Sequence, residues 1–206
     1  MASVVGICNR ALQKVGANRI LALTDNSREA RSCNNAYDSV RQALLRKYRW
    51  NFAITRVVLA PDTTAPAYDY LYQFSLPSDC LRILLPNDNT LDWQLEGRKI
   101  LTNGGTASSA IEGASLTGGT STTTSVSLRL RYVSDVSDPN TFDAMFREAL
   151  AFKLAIEMCD ELTQSNAKKQ GLRDEYRDFI ADSFLSDSLE NTPTDPPEDL
   201  WVTARY

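Results

Sequence analysis

Ser165 and Lys168 stand in the order S-x-x-K ("SNAK"), the spacing at which a lysine amine activates a serine for acyl transfer. No S-D-N or K-T-G element accompanies them, and a polar turn between helices is the simpler reading. Two carboxylate pairs, Asp160/Glu161 and Asp174/Glu175, supply the residue type that cleaves glycosidic bonds, where two acids flank one bond. Neighbours i and i+1 on a helix point apart, so solvated positions are expected instead. "NGGT" (from Asn103) and "TGGT" (from Thr117) look like pieces of a phosphate loop, yet neither runs on into G-K-[ST]. The chain has no histidine. That removes Ser-His-Asp and Cys-His nucleophiles, histidine metal ligands and the usual near-neutral base. The four cysteines, Cys8, Cys33, Cys80 and Cys159, form no C-x-x-C pair. Cys8, Cys33 and Cys159 fall on apolar helix faces, where a free thiol behaves as a small hydrophobe in a reducing compartment. No catalytic residue, metal or cofactor is expected. A glycan-degrading enzyme using carboxylates stays as the alternative.

The elements that must position these residues are bounded by composition. At 206 residues and 43% apolar content the chain fits one domain, or one domain with a sizeable insertion. No apolar run approaches the ~20 residues that cross a bilayer, so no membrane partner is expected. Polar Asn9, Arg10, Gln13 and Lys14 break the first apolar stretch, which argues against a signal peptide. The net charge is −4, but residues 1–56 hold ten basic side chains against three acids. From Asp178 to Asp199 there are seven acids and no lysine or arginine. Such asymmetry suits head-to-tail contact between copies, or different partners at opposite ends; solvated helix faces are the plainer explanation.

Helical spacing opens the chain. Ser3 is placed to cap a helix carrying Val4, Ile7, Cys8, Ala11, Leu12 and Val15, with Gly16 to end it. Ser27 is placed to cap a longer helix with the stripe Ala30, Cys33, Tyr37, Val40, Leu44 and Tyr48, its arginines mostly off that face. The period then shortens. "ITRVVLAP", "YLYQFSLP" and "CLRILLP" read as strands, "DWQLEGRKILT" as a hairpin turning at Glu96-Gly97-Arg98. "SVSLRLRYV" alternates Val126, Leu128, Leu130 and Tyr132 against Arg129 and Arg131. Between them, 18 of the 26 residues 102–127 are Gly, Ser or Thr, which reads as a long hairpin tip or mobile loop. Thr141 is placed to cap a third helix with Phe142, Met145, Phe146, Ala149, Phe152, Ile156 and Cys159. A fourth follows "TQSNAKK", with Leu172, Tyr176, Phe179, Ile180 and Phe184 on one face.

Neither terminal helix pair has enough apolar area alone. The expected fold is therefore α+β: a four-helix bundle core from residues 1–56 and 138–190, an inserted antiparallel β domain at 57–137, and an extended C-terminal arm at 191–206. The arm is proline- and acid-rich yet ends on Trp201, Val202, Arg205 and Tyr206, a mixture enriched at interface anchors. Its 16 residues reach roughly 50 Å when extended, so it either folds back on its own helices or docks on a partner. "RQALLRKYRW" (Arg41 to Trp50) interleaves arginine with aromatics as nucleic-acid binders do; a bundle helix with a basic outer face is the preferred explanation, and a protein-docking face the next.

Three phrases taken in order carry a resemblance: "WQLEGRKILTN", "LRLRYVSDVSDPNTFDAMFREALAFKLAIEMCDELTQS" and "EDLWVTARY". With the N-terminal helix ending L-x-x-V-G and the second ending in "WNFA", the chain resembles the tail tubular protein A family. These are head-to-tail adaptors of short-tailed double-stranded DNA phages. The likeness spans most of the chain except about 102–127. It implies a virion tail protein, made in the host cytoplasm, that forms a ring of twelve copies between the portal protein and the tail nozzle, tail tubular protein B. It further implies DNA passing through the lumen without sequence-specific binding, tail fibres attached outside, an arm reaching the portal, and no catalytic residues. On this reading Arg28, Arg31, Arg41, Arg46 and Arg49 are candidates for contact with a neighbouring subunit or the portal.

Overall fold

The computed structural model describes residues 2–84, 92–108 and 125–189. Its class is α+β, with four helices and small antiparallel sheets. The first helix, α1 (Val4–Val15), starts where the Ser3 hydroxyl accepts from the Gly6 amide at 3.0 Å. It stops at Gly16, whose φ of +82° is open to glycine and whose N–H bonds the Leu12 carbonyl at 2.8 Å. The second, α2 (Arg28–Lys47), is capped by Ser27, which accepts from Ala30 N–H at 3.1 Å. The WNFA phrase then forms a 3-10 turn at Asn51–Ala53, burying Trp50 and Ala53.

The third helix, α3 (Ala144–Thr163), is capped by Asp143, which accepts from Met145 N–H at 2.7 Å. Thr141, the expected cap, instead donates its hydroxyl to the Asp138 carbonyl and belongs to the preceding turn. The fourth, α4 (Asn166–Leu189), begins earlier than expected and takes in most of "SNAKK". Gln164 at φ +52° separates it from α3. Unlike its neighbours α3 is buried on most sides, from Phe146 and Leu150 to Leu154 and Met158, the pattern of a central helix. Contacts with α1, α2 and α4 all converge on it.

Among the described residues between α2 and α3 are seven strands: β1 (Ile54–Leu59), β2 (Tyr72–Ser75), β3 (Cys80–Leu84), β4 (Trp93–Glu96), β5 (Lys99–Thr102), β6 (Thr106–Ser108) and β7 (Ser125–Ser134). One sheet runs β1-β7-β3, with β6 pairing the start of β7; the other runs β2-β5-β4. The β4–β5 turn is tighter than expected: Glu96 already pairs Lys99, leaving Gly97-Arg98. Gly97, at φ +59°, takes the first central position, as a type II′ turn requires. Strand pairing also reaches into both ends of the Gly/Ser/Thr stretch, since Thr106 pairs Ser127 and Ser108 pairs Ser125. The rest of that stretch lies outside the described residues.

Two apolar cores result. One gathers buried side chains from all four helices, and includes Leu84 and Val133 from the sheet. The other joins Leu128, Leu130 and Tyr132 to Phe74 and Ile100 of the second sheet. β7 serves both because alternate side chains leave opposite faces: Tyr132 enters the second core while Val133 enters the first. The two cores therefore do not divide at residues 57 and 137, where composition changes; Leu84 and Val133 carry the helical core into the β region.

Candidate interaction surface

The residues with chemical potential are placed apart or already engaged. The Ser165 hydroxyl accepts from Lys168 N–H at 3.4 Å as a helix cap. The Lys168 ammonium donates to the Val15 carbonyl at the end of α1, so it does not activate Ser165. Asp160 is ion-paired with Lys169. Glu161 accepts from Ser32 at 2.7 Å and lies 3.8 Å from Arg28. Asp174 accepts from Gln170 at 3.2 Å. Asn103 of "NGGT" brackets a neighbouring loop, as described below; "TGGT" lies outside the described residues.

All four cysteines are free and buried, including Cys80, for which the sequence offered no helical face. The neighbouring Cys33 thiol and, after it, burial push the Cys8 thiol up, away from the thiolate that reacts or binds metal. Among the described residues no three His, Cys, Asp or Glu side chains converge as a metal site, and no helix is long and apolar enough to cross a membrane. A shallow cleft of ≈ 300 Å³ opens where α1 and α3 begin, lined by Ser3, Arg10, Arg147 and Glu148 among others. Its carboxylate, Glu148, is held by Lys14 at 2.7 Å and Arg10 at 3.0 Å. Burial alone would raise the Glu148 carboxyl, but the two cations outweigh it and lower it.

Of the five candidate arginines, Arg41 departs most from expectation. It is buried at 4% exposure, with its guanidinium on Asp135 and the Val136 carbonyl. A guanidinium enclosed within its own subunit has no reach to another, so Arg41 leaves the outward set. Arg28 spans to the Glu161 carbonyl on α3, and Arg46 donates to the Leu81 carbonyl on β3. Arg31 turns back on the Ser27 carbonyl at 3.3 Å. Arg49 is exposed. Trp50, at the end of this stretch, is not a stacking platform: it is 1% exposed, its ring 5.2 Å from that of Phe146.

The outward-facing apolar residues were not legible beforehand. Leu21 is 93% exposed while Ile20 beside it is 3% exposed. The loop is pinned from both sides. Asn9 accepts from Ile20 N–H at 2.8 Å and donates to its carbonyl at 2.9 Å. Asp25 accepts from the Leu21 and Ala22 amides at 2.8 and 3.0 Å, and these bonds, Ala22 first, lower its carboxyl. A second display lies before β2, where Tyr68 is 79% and Leu71 65% exposed. Between them Asp69 stands at φ +66°, and Tyr70 N–H bonds the Tyr68 carbonyl at 2.8 Å, a three-residue turn that is uncommon and strained. Asn103 holds it, accepting from Leu71 N–H at 2.9 Å and donating to the Asp69 carbonyl at 3.1 Å. Single exposed hydrophobes need no explanation; here backbone locks fix where they point. The only sequence signals were polar side chains, Asn9, Asp25 and Asn103, able to bond backbone several residues away.

The candidate arm residues Trp201, Val202, Arg205 and Tyr206 lie outside the described residues. No protein-family model matches the chain, and no curated protein is significantly similar to it.

Proposed function

We propose that this chain is a structural head-to-tail adaptor of a short-tailed double-stranded DNA phage, of the tail tubular protein A kind. In this reading the four helices act as a bundle core, the β region between them is an insertion, and residues 191–206 form an extended arm. Copies assemble into a ring of twelve between portal and nozzle. The helices form the ring, the arm reaches the portal, the β insertion meets the nozzle or fibres, and DNA passes through the lumen without sequence-specific binding.

The observation that carries this from the geometry is the pair of locked apolar displays, Leu21 on one loop and Tyr68 with Leu71 on another. Ordering a loop costs about 1–2 kcal/mol per residue in backbone entropy. Loops already fixed by side-chain bonds suit a surface completed by other subunits. The ordered run of sequence likeness supports the same reading, as does the aromatic content of residues 191–206, with Trp201 and Tyr206.

Deletion of residues 191–206 tests it. The truncated chain should keep its helical circular dichroism and melting transition but fail to join portal-bearing particles. Infectious virions assembled normally by the truncated chain would remove arm docking from the mechanism. A particle image that places the chain elsewhere than between capsid vertex and tail tube would remove the adaptor reading itself.

A further inference from the structure

The face of β7 that carries Val133 into the helical core continues past the helices into open solvent. There Arg56 on β1 stands directly opposite Arg131 on β7, and the next rank pairs Val58 with Arg129. Arg56 and Arg129 are exposed, Arg131 is half-buried, and Val58 is 64% exposed. Like charges directly opposite across a ladder destabilise a sheet. Among the described residues no carboxylate pairs with any of these three arginines, whereas Arg10, Lys14, Arg41, Lys99 and Lys169 all have one. Ranks repeat about 7 Å apart along such a face. Among the described residues the arrangement is a concentrated cationic surface without a paired carboxylate, with an apolar residue set in it.

The same chain carries its complement. On α4, Leu172, Tyr176 and Ile180 are buried against the helical core. At about 100° per residue, Glu175, Asp178 and Asp182 fall together on a different side, and all three are exposed. None of the three has an ion-pair partner among the described residues; Asp174, the acid beside them, has Arg177. Their i, i+3 and i+7 placement spaces them about 5–6 Å apart, close to the spacing of the arginine ranks.

We propose that the arginine face of the β1–β7 sheet docks on the Glu175–Asp178–Asp182 side of α4 in a second copy of this chain. The contact is heterologous: each subunit offers one surface of each kind, so copies add head to tail and close into a ring when the rotation allows. It deepens the adaptor reading by naming the surfaces through which copies meet, and rests on that reading only for the ring's biological setting. Exposed ion pairs are individually weak. An array that also relieves the Arg56–Arg131 repulsion and covers Val58 is stronger and sets orientation.

Sedimentation velocity on the full chain tests it, at low and high salt and up to roughly 1 mM. The expected result is self-association that weakens steeply with salt, since charges more than about 10 Å apart are screened at 0.1 M. R129E/R131E should weaken it by about tenfold or more, with unchanged circular dichroism. E175R/D178R/D182R, on an exposed helix side, should do the same and stands in if the sheet variant fails to fold. Combining both sets in one chain should restore association.

A wild-type chain monomeric throughout, association indifferent to either set of changes, or no restoration in the combined chain would overturn the proposal. So would duplex DNA binding that R129E/R131E abolishes in a chain that does not self-associate, which would assign the face to phosphate. Failure here is separable from failure of the adaptor reading. A chain located in the tail whose association ignores these residues refutes only this contact; charge-dependent association by a chain absent from the tail refutes only the adaptor.

Discussion

The Arg41 guanidinium on α2 holds the Asp135 carboxylate and donates at 2.6 Å to the Val136 carbonyl, just beyond β7. Gln42 completes the clasp by donating to the same carboxylate at 2.7 Å. It ties the second helix to the strand that both cores share. A pair with one buried partner costs desolvation and is not assumed to outperform an apolar replacement, but losing Asp135 leaves the buried guanidinium with only Asp38 at 3.4 Å and the Val136 carbonyl. Asp135→Ala should therefore cost about 1.5–3 kcal/mol, and Arg41→Met less, because it removes the buried charge and keeps the volume. Urea unfolding of both variants measures the difference; equal losses would show that packing, not charge, dominates there.

Phe146 lies among three rings, with centroids 4.9 Å from Phe142, 5.0 Å from Phe52 and 5.2 Å from Trp50. Phe146→Ala empties the junction between α3 and the WNFA turn. A loss of about 3–5 kcal/mol is expected, or about 2–4 °C in melting temperature per kcal/mol for a chain of this size. A shift of only a degree or two would mean the cavity collapses freely.

Two glycines should respond to alanine with opposite signs. Gly16 sits at φ +82°, and a Cβ there would lie 3.0 Å from the Lys168 ammonium, so Gly16→Ala should destabilise by about 1–2 kcal/mol. Gly171, inside α4, has open space around a new Cβ. Gly171→Ala should stabilise by about 0.5–1 kcal/mol. Paired thermal melts read both signs at once.

Ile20 and Leu21 make the sharpest side-by-side contrast. Ile20→Ala should cost about 2–4 kcal/mol from the helical core. Leu21→Ala should leave the subunit's stability within about 0.5 kcal/mol, yet reduce assembly into particles. Denaturation curves and particle incorporation, measured together, separate the two roles.

Acid should expose the Glu148 cluster. Its carboxyl is lowered below the ordinary 4.5 by Arg10 and Lys14 despite burial. A carboxylate lowered by folding contributes stability that is complete above its unfolded value and is lost as pH falls through its folded value. Stability should thus decline below about pH 4.5, and Glu148→Gln should flatten that part of the profile. An unchanged acid limb in Glu148→Gln would show that other carboxylates carry it.

The helices were legible because local physics fixes them. Ser3, Ser27 and Gly16 act from the sequence positions they occupy, and apolar residues at helical spacing become the buried faces of α1 and α2. The alternation of Leu128, Leu130 and Tyr132 against Arg129 and Arg131 was likewise a matter of one strand's own period. What depended on distant partners was not. Arg41 looked like an outer arginine because nothing nearby announces Asp135, 94 residues away. Thr141 and Asp143 are both acceptable caps, and the choice between them lay in the turn after Pro139. The cationic face was divided between two segments, one arginine counted with the basic first quarter and two with the β region. Only the antiparallel register sets Arg56 against Arg131.

The strand order also carries a consequence for synthesis. β1 and β3 each find their neighbour in β7, and Ile54 waits for Val133. α1 and α2, already made, have their main helical support in α3, which follows later still. A ribosome that has delivered residues 1–124 has therefore released two helical segments and two strands whose main partners are still to come. Nearly everything durable about the molecule is settled in the short interval when one ten-residue strand and the helix after it emerge.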